Sequence, residues 1–110
     1  MRAGKRRRLG RAGWRVGDAG DFLELSPEER RYIDLKLALA EGLRRRRQRL
    51  GLTQREVASR FKSSQSRVAK MEAAHQSVST DLLLKSLFRL GANTNEVARL
   101  VSLKARTRAA

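Results

Sequence analysis

Helix start signals recur at short intervals along this chain, and they constrain its fold more than any other feature. Ser26-Pro27-Glu28-Glu29 sets a capping serine before a proline suited to the first helical position, and Glu29 completes a capping box. Thr53-Gln54-Arg55-Glu56 is a second box, Ser64 and Ser79 are further caps, and Asn93 with Glu96 makes another start. Between these signals apolar residues return at helical spacing. The first set is Ile33, Leu37 and Ala40, widened by Leu35, Leu39 and Leu43. Then come Val57, Ala58 and Phe61, next Val68 and Met71, then Leu83, Leu84, Leu87 and Leu90, and finally Val97, Leu100 and Val101. The pattern predicts an all-α fold of five helices. The first runs from Pro27 to Leu50 and stops at Gly51, with Gly42 as a place where it could kink or split. The fourth ends at Gly91, and the fifth frays into the basic run Lys104 to Arg108.

Charge divides the chain differently. The formal net charge is +15, from 26 Lys and Arg against 11 Asp and Glu. A field of that size draws polyanions and makes their capture salt-dependent. Residues 1–13 hold six basic residues, three glycines and no acid, and read as a disordered basic arm. From Trp14 to Glu41 the sign turns, with seven acidic residues against four basic ones. Such a stretch suits contact with a protein better than contact with nucleic acid. The sequence thus divides into the arm at 1–13, an extension at 14–31, a main domain at 32–103 and a basic tail at 104–110.

Several classes of function find no support. The chain has no cysteine, so it carries neither a disulfide framework nor a thiolate metal site. Its one histidine, His75, falls in a predicted loop without partners, and the carboxylates Glu28, Glu29 and Asp34 are accounted for by helix capping and the helix dipole. No catalytic group, metal site or cofactor is expected. No apolar run is long enough to span a bilayer, and no apolar core follows the basic N-terminus as in a signal peptide. The expectation is a cytoplasmic, nucleoid-associated protein.

The informative unit lies at residues 53–73, where two short helices are separated by Lys62-Ser63-Ser64. So short a turn makes the helices cross steeply, as in a helix-turn-helix. The second helix then projects Gln65, Ser66, Arg67 and Lys70, none of them apolar or acidic, while Val68 and Met71 face inward. Glutamine can bond adenine N6 and N7 together, serine can reach either kind of base edge, and arginine or lysine suits guanine or phosphate.

The residues Arg47, Gly51-Leu52-Thr53-Gln54, Val57-Ala58 and Ser64-Gln65-Ser66-Arg67-Val68-Ala69-Lys70-Met71-Glu72 hold register together. Residues 43–91 thereby resemble the lambda-repressor-like, or Xre, helix-turn-helix family. The resemblance implies a five-helix DNA-binding domain with an N-terminal extension. It implies that Gln54 touches phosphate and braces Gln65, that Gln65 reads adenine, and that Ser66 and Lys70 meet bases. Ser64 and Arg67 match positions where base and phosphate contact vary, and Arg47 and Glu72 match a structural ion pair. Two turn glycines of the family are replaced here, by Lys62 and Ala74.

The flanking residues sharpen the resemblance. Gly13-Trp14-Arg15-Val16-Gly17 and Asp21-Phe22-Leu23-Glu24-Leu25-Ser26-Pro27-Glu28-Glu29 resemble antitoxins of host-inhibition-of-growth type II toxin–antitoxin modules. That resemblance implies a repressor of its own operon and a ribonuclease toxin as partner, with Trp14, Phe22 and Leu23 as candidate anchors. Alternatives are a stand-alone or phage-type regulator without a toxin and a nonspecific basic nucleic-acid adaptor. A ribosome- or membrane-associated protein is a weaker one, because the helices lack an aromatic-rich interfacial face. A single helix-turn-helix reads few base pairs, so a homodimer on a palindromic operator is expected. The sequence does not determine which surface pairs, and the family resemblance points to the fourth and fifth helices, around Leu87 to Val101.

Overall fold

The computed structural model describes the backbone of residues 25–109 and side chains through residue 102. The chain divides into two compact units, residues 1–31 and 32–110. Five helices make up the described part: α1 (Pro27–Arg49), α2 (Gln54–Phe61), α3 (Gln65–Glu72), α4 (Thr80–Arg89) and α5 (Thr94–Ala109). The all-α, five-helix expectation holds.

In the first unit, α1 begins with the expected box. The Ser26 N–H donates to Glu29 Oε1 at 2.8 Å, and the Glu29 N–H donates to Ser26 Oγ at 3.1 Å. In the second unit, Thr53 and Glu56 form the same reciprocal pair at the start of α2, as do Asn93 and Glu96 at the start of α5. Ser64 and Ser79 cap α3 and α4 by accepting from the N–H groups of Arg67 and Leu82. Each device satisfies N–H groups that a helix leaves without partners in its first turn.

The helix ends share one geometry. After α1, α2, α3 and α4 the chain passes through a left-handed residue: Gly51, Lys62, Ala74 and Gly91. In each case the next N–H reaches back five residues, as from Leu52 to Arg47 O, Ser63 to Ala58 O, His75 to Lys70 O and Ala92 to Leu87 O. These are Schellman ends, which glycine favours because it lacks a Cβ to clash. Lys62 at φ 54° and Ala74 at φ 55° take the same path with a Cβ present. The two missing glycines therefore leave the turn geometry intact and add local strain.

The core lies in the second unit. Leu39 and Leu43 of α1, Val57 and Ala58 of α2, Val68 and Met71 of α3, and Leu83 and Leu87 of α4 form one buried cluster with Val78, Ala92 and Leu90, the residue that ends α4. Val97, Leu100 and Val101 of α5 pack against it while half-buried. Each fully buried aliphatic side chain of this kind contributes about 1.5–3 kcal/mol.

Three expectations about the helices need correction. Ile33 and Leu37 are not core residues, since 37 % and 41 % of their surface stays exposed. The buried stripe of α1 instead runs through Ala38, Leu39, Ala40, Gly42 and Leu43. Gly42 does not break α1, which is continuous from Pro27 to Arg49. A Cβ there would fall 2.4 Å from Leu100 Cδ1, so the absent side chain lets α1 and α5 approach closely. The backbone of α5 continues to Ala109 rather than fraying at Lys104.

The strained turns yield a test. Lys62→Gly and Ala74→Gly each relieve about 1–2 kcal/mol of left-handed strain while adding about 0.5–1 kcal/mol of unfolded-chain entropy. Each variant should melt a few degrees higher than the parent by circular dichroism. An unchanged or lower midpoint would show that these turns store no strain.

Candidate nucleic-acid interface

The two helices of the motif are set at an angle by the turn at Lys62, and α2 and α3 pack directly on one another. Val68 and Met71 anchor α3 in the core with almost no exposed surface. Met71 is further tied to α4, because the buried Ser86 hydroxyl donates to its sulfur at 3.6 Å.

The end of α3 is fixed by charge. Arg47 Nε on α1 donates to Glu72 Oε2 at 2.5 Å, and Nη2 donates to Oε1 at 3.0 Å. Arg47 Nη1 also donates to the Leu52 carbonyl at 2.9 Å. The two side chains are only 13 % and 4 % exposed. The hydrogen bonds to Glu72 push the Arg47 pKa upward, against the opposing effect of burial. Such a bidentate pair fixes both distance and orientation between helices.

Gln54 joins this network. Its Nε2 donates to Glu72 Oε1 at 3.1 Å. Gln54 and Gln65 border one hollow at the mouth of the motif, together with Thr53 and Arg55. The amide nitrogen of Gln54 is nevertheless directed to Glu72 rather than to Gln65. The sequence offered no sign of this bond, because a glutamine at a helix start reads equally as a surface amide.

The outer face of α3 is polar and exposed. Gln65, Ser66, Arg67 and Lys70 are all exposed, and their side chains make no hydrogen bond or ion pair with other described residues. Ser64 stands apart, since its hydroxyl accepts the Arg67 N–H as the cap of α3. Residues 53–73 carry five basic and two acidic side chains. Both acids are engaged internally, Glu56 in the α2 cap and Glu72 with Arg47. Glu72 is thus withdrawn from the surface, while Glu56 stays exposed in the cap of α2, and the α3 face itself carries only neutral polar and cationic side chains.

The arginine run at the end of α1 divides by role. Arg45 makes an exposed pair with Glu41 at 2.8 Å, a contact of little energetic weight. Arg46 braces the α4–α5 corner, with Nε donating to the Leu90 carbonyl at 2.8 Å and Nη1 to Glu96 Oε2 at 3.3 Å. Gly91 serves that contact, because a Cβ would approach Arg46 Nη2 to 3.3 Å. Arg44 and Arg49 remain exposed. A row of identical residues conceals the bracing by Arg46. His75 sits in the loop after α3, where its Nδ1 lies 2.8 Å from Ser77 Oγ. Trp14, Phe22 and Leu23 lie outside the described residues.

A family model described as a helix-turn-helix domain matches residues 38–100. The chain belongs to that family. Comparison with curated proteins and with solved structures finds no match. The matched span covers the motif, its bracing pair and the core, and the protein is an Xre-like helix-turn-helix DNA-binding regulator. The family is typically without enzymatic activity. Among the described residues no cluster of side chains suited to a metal ion occurs, and no helix is long and apolar enough to cross a membrane.

Two measurements test the bracing. Arg47→Met leaves the Glu72 carboxylate buried without its cation and should lower unfolding free energy by about 3 kcal/mol or more in urea titrations. Adding Glu72→Met to that variant should restore part of the loss, and strict additivity of the two changes would contradict the coupling. The Glu96 carboxyl is held below its ordinary value of 4.5, first by the Asn93 N–H and then by Arg46. Its contribution is present above that value and disappears as pH falls through the lowered one. Stability should therefore drop on acidification below about pH 4.5, and Glu96→Gln should flatten part of that fall.

Proposed function

We propose that this protein is a sequence-specific transcriptional repressor that lays α3 in the major groove of an operator. The observation that carries this reading is the outer face of α3, where Gln65, Ser66, Arg67 and Lys70 are exposed and engaged by no other described side chain, on a helix whose inner face is locked. Gln65 is assigned to adenine, Ser66 and Lys70 to base edges, and Arg67 to a base or a phosphate. Ser64, engaged as the cap of α3, has a hydroxyl proton left to donate to a phosphate. Gln54 holds Glu72 with its amide nitrogen and meets phosphate at the mouth of the motif. The exposed cations Arg55, Arg60 and Lys62 supply salt-dependent attraction without sequence preference. Two copies on a palindromic operator give the affinity that one motif lacks.

We further propose that the repressor is the antitoxin of a type II module and neutralises a ribonuclease toxin. This rests on the resemblance of its flanks and on the gathering of seven of its eleven acidic residues between Trp14 and Glu41. Toxins acting on RNA are basic, and an acidic segment complements them. Trp14, Phe22 and Leu23 are the proposed anchors.

Gln65→Ala should weaken binding to the selected operator by about 1–3 kcal/mol and leave random-sequence DNA unaffected in fluorescence anisotropy titrations. Arg60→Ala should weaken both alike and reduce the dependence on salt. Equal loss on both DNAs for Gln65→Ala would sink the assignment of α3. For the toxin, removing residues 14–24 should abolish co-purification with the ribonuclease of the proposed module and spare operator binding. Retained co-purification would contradict the anchoring role.

A further inference from the structure

Most apolar residues of the helices expected to pair two copies are committed to the monomer. Leu87, Leu90 and Ala92 are core residues, and Val97, Leu100 and Val101 pack against that core, which leaves Phe88 of α4 exposed. Exposed apolar side chains recur instead near the start of α1, where Tyr32, Ile33 and Leu37 are 49 %, 37 % and 41 % exposed. These residues form one wall of a groove of roughly 520 Å³. The other wall is the loop after the recognition helix, including Ala74 and Val78. Lys36 closes the groove, its ammonium donating to the His75 carbonyl at 2.9 Å.

We propose that this groove is the face through which two copies of the chain meet on DNA. Three observations select a second copy as the occupant. Two chains of net charge +15 repel one another, so they meet where fewest free charges face outward. Among the described residues Lys36 is the one charged residue lining the groove, and it is drawn onto a backbone carbonyl. A single ridge of Tyr32, Ile33 and Leu37 is also self-complementary about a two-fold axis, as an isologous contact requires. Finally, the loop wall begins where α3 ends, at Ala73 and Ala74, so a contact there sets the spacing between two recognition helices.

The size of the patch fixes how the pair forms. Three side chains less than half exposed bury far less than the roughly 1,200 Å² of a stable interface. The pair is therefore weak in free solution and assembles on a duplex that holds two half-sites side by side. This inference uses the operator-binding reading for its setting, and it fails separately from it.

Cross-linking decides the matter, because the 110-residue chain has no cysteine of its own. Leu37→Cys with a short bismaleimide should yield a covalent dimer on a palindromic duplex, and on concentrated protein alone. Ala98→Cys on exposed α5 should stay monomeric under both conditions. A dimer from Ala98→Cys but not Leu37→Cys, or from neither, overturns the proposal. Leu37→Glu provides the functional arm. It should hold a single half-site within twofold of the parent and lose at least tenfold in apparent affinity for the two-half-site duplex. Undiminished cooperative binding by Leu37→Glu overturns the proposal. Should the parent select no duplex at all, the operator reading fails, and the cross-link on concentrated protein still decides the interface.

Discussion

The carboxylate of Glu72 lies almost out of water at the end of the recognition helix, and three helices converge on it. Arg47 reaches it from α1 with two nitrogens, and Gln54 reaches it from α2 with a third. A buried charge is costly unless its hydrogen-bonding capacity is filled. Here that cost is met by groups that occur in register at only one arrangement of the helices. Apolar packing of Val68 and Met71 holds α3 against the core, but such packing tolerates small rotations. The bidentate pair does not. The orientation of the outer face of α3 thus depends on a contact that never touches DNA.

The same division of labour runs through the charged residues. A net charge of +15 suggests a uniformly adhesive surface, yet the arginines at the end of α1 serve different ends. Arg46 and Arg47 are half-buried and structural, while Arg44 and Arg49 are exposed. Specificity and attraction are likewise separated. In the proposed reading the field of the whole chain supplies capture, and a few neutral or singly charged side chains on α3 supply discrimination. Of the two acids of the motif, Glu72 is buried against Arg47 and Glu56 caps α2, so no acid stands on the outer face of α3.

Much of this fold was legible because helix ends are local chemistry. Each capping box named its helix start, and the Schellman ends at Gly51 and Gly91 were marked by the residue that suits them. Lys62 and Ala74 show the limit of that logic. Both adopt the glycine geometry, because the tertiary contacts of the motif outweigh a local preference of about 1 kcal/mol. The buried face of α1 was harder to place. Between Ile33 and Leu43 it carries apolar residues at so many positions that two stripes fit equally well, and only the position of the other helices chooses between them. The bonds of Gln54 and Arg46 were hidden for a related reason. Long polar side chains reach partners far along the chain, and neither residue type nor spacing reveals which.

The central claim is that the outer face of α3 reads base sequence rather than merely adhering to a polyanion. Selection of bound duplexes from a random-sequence pool at near-physiological salt tests it most directly. The account predicts enrichment of a short palindromic sequence bound at least about a thousandfold more tightly than the starting pool. A pool that stays flat through successive rounds, with affinity governed by salt alone, would contradict it.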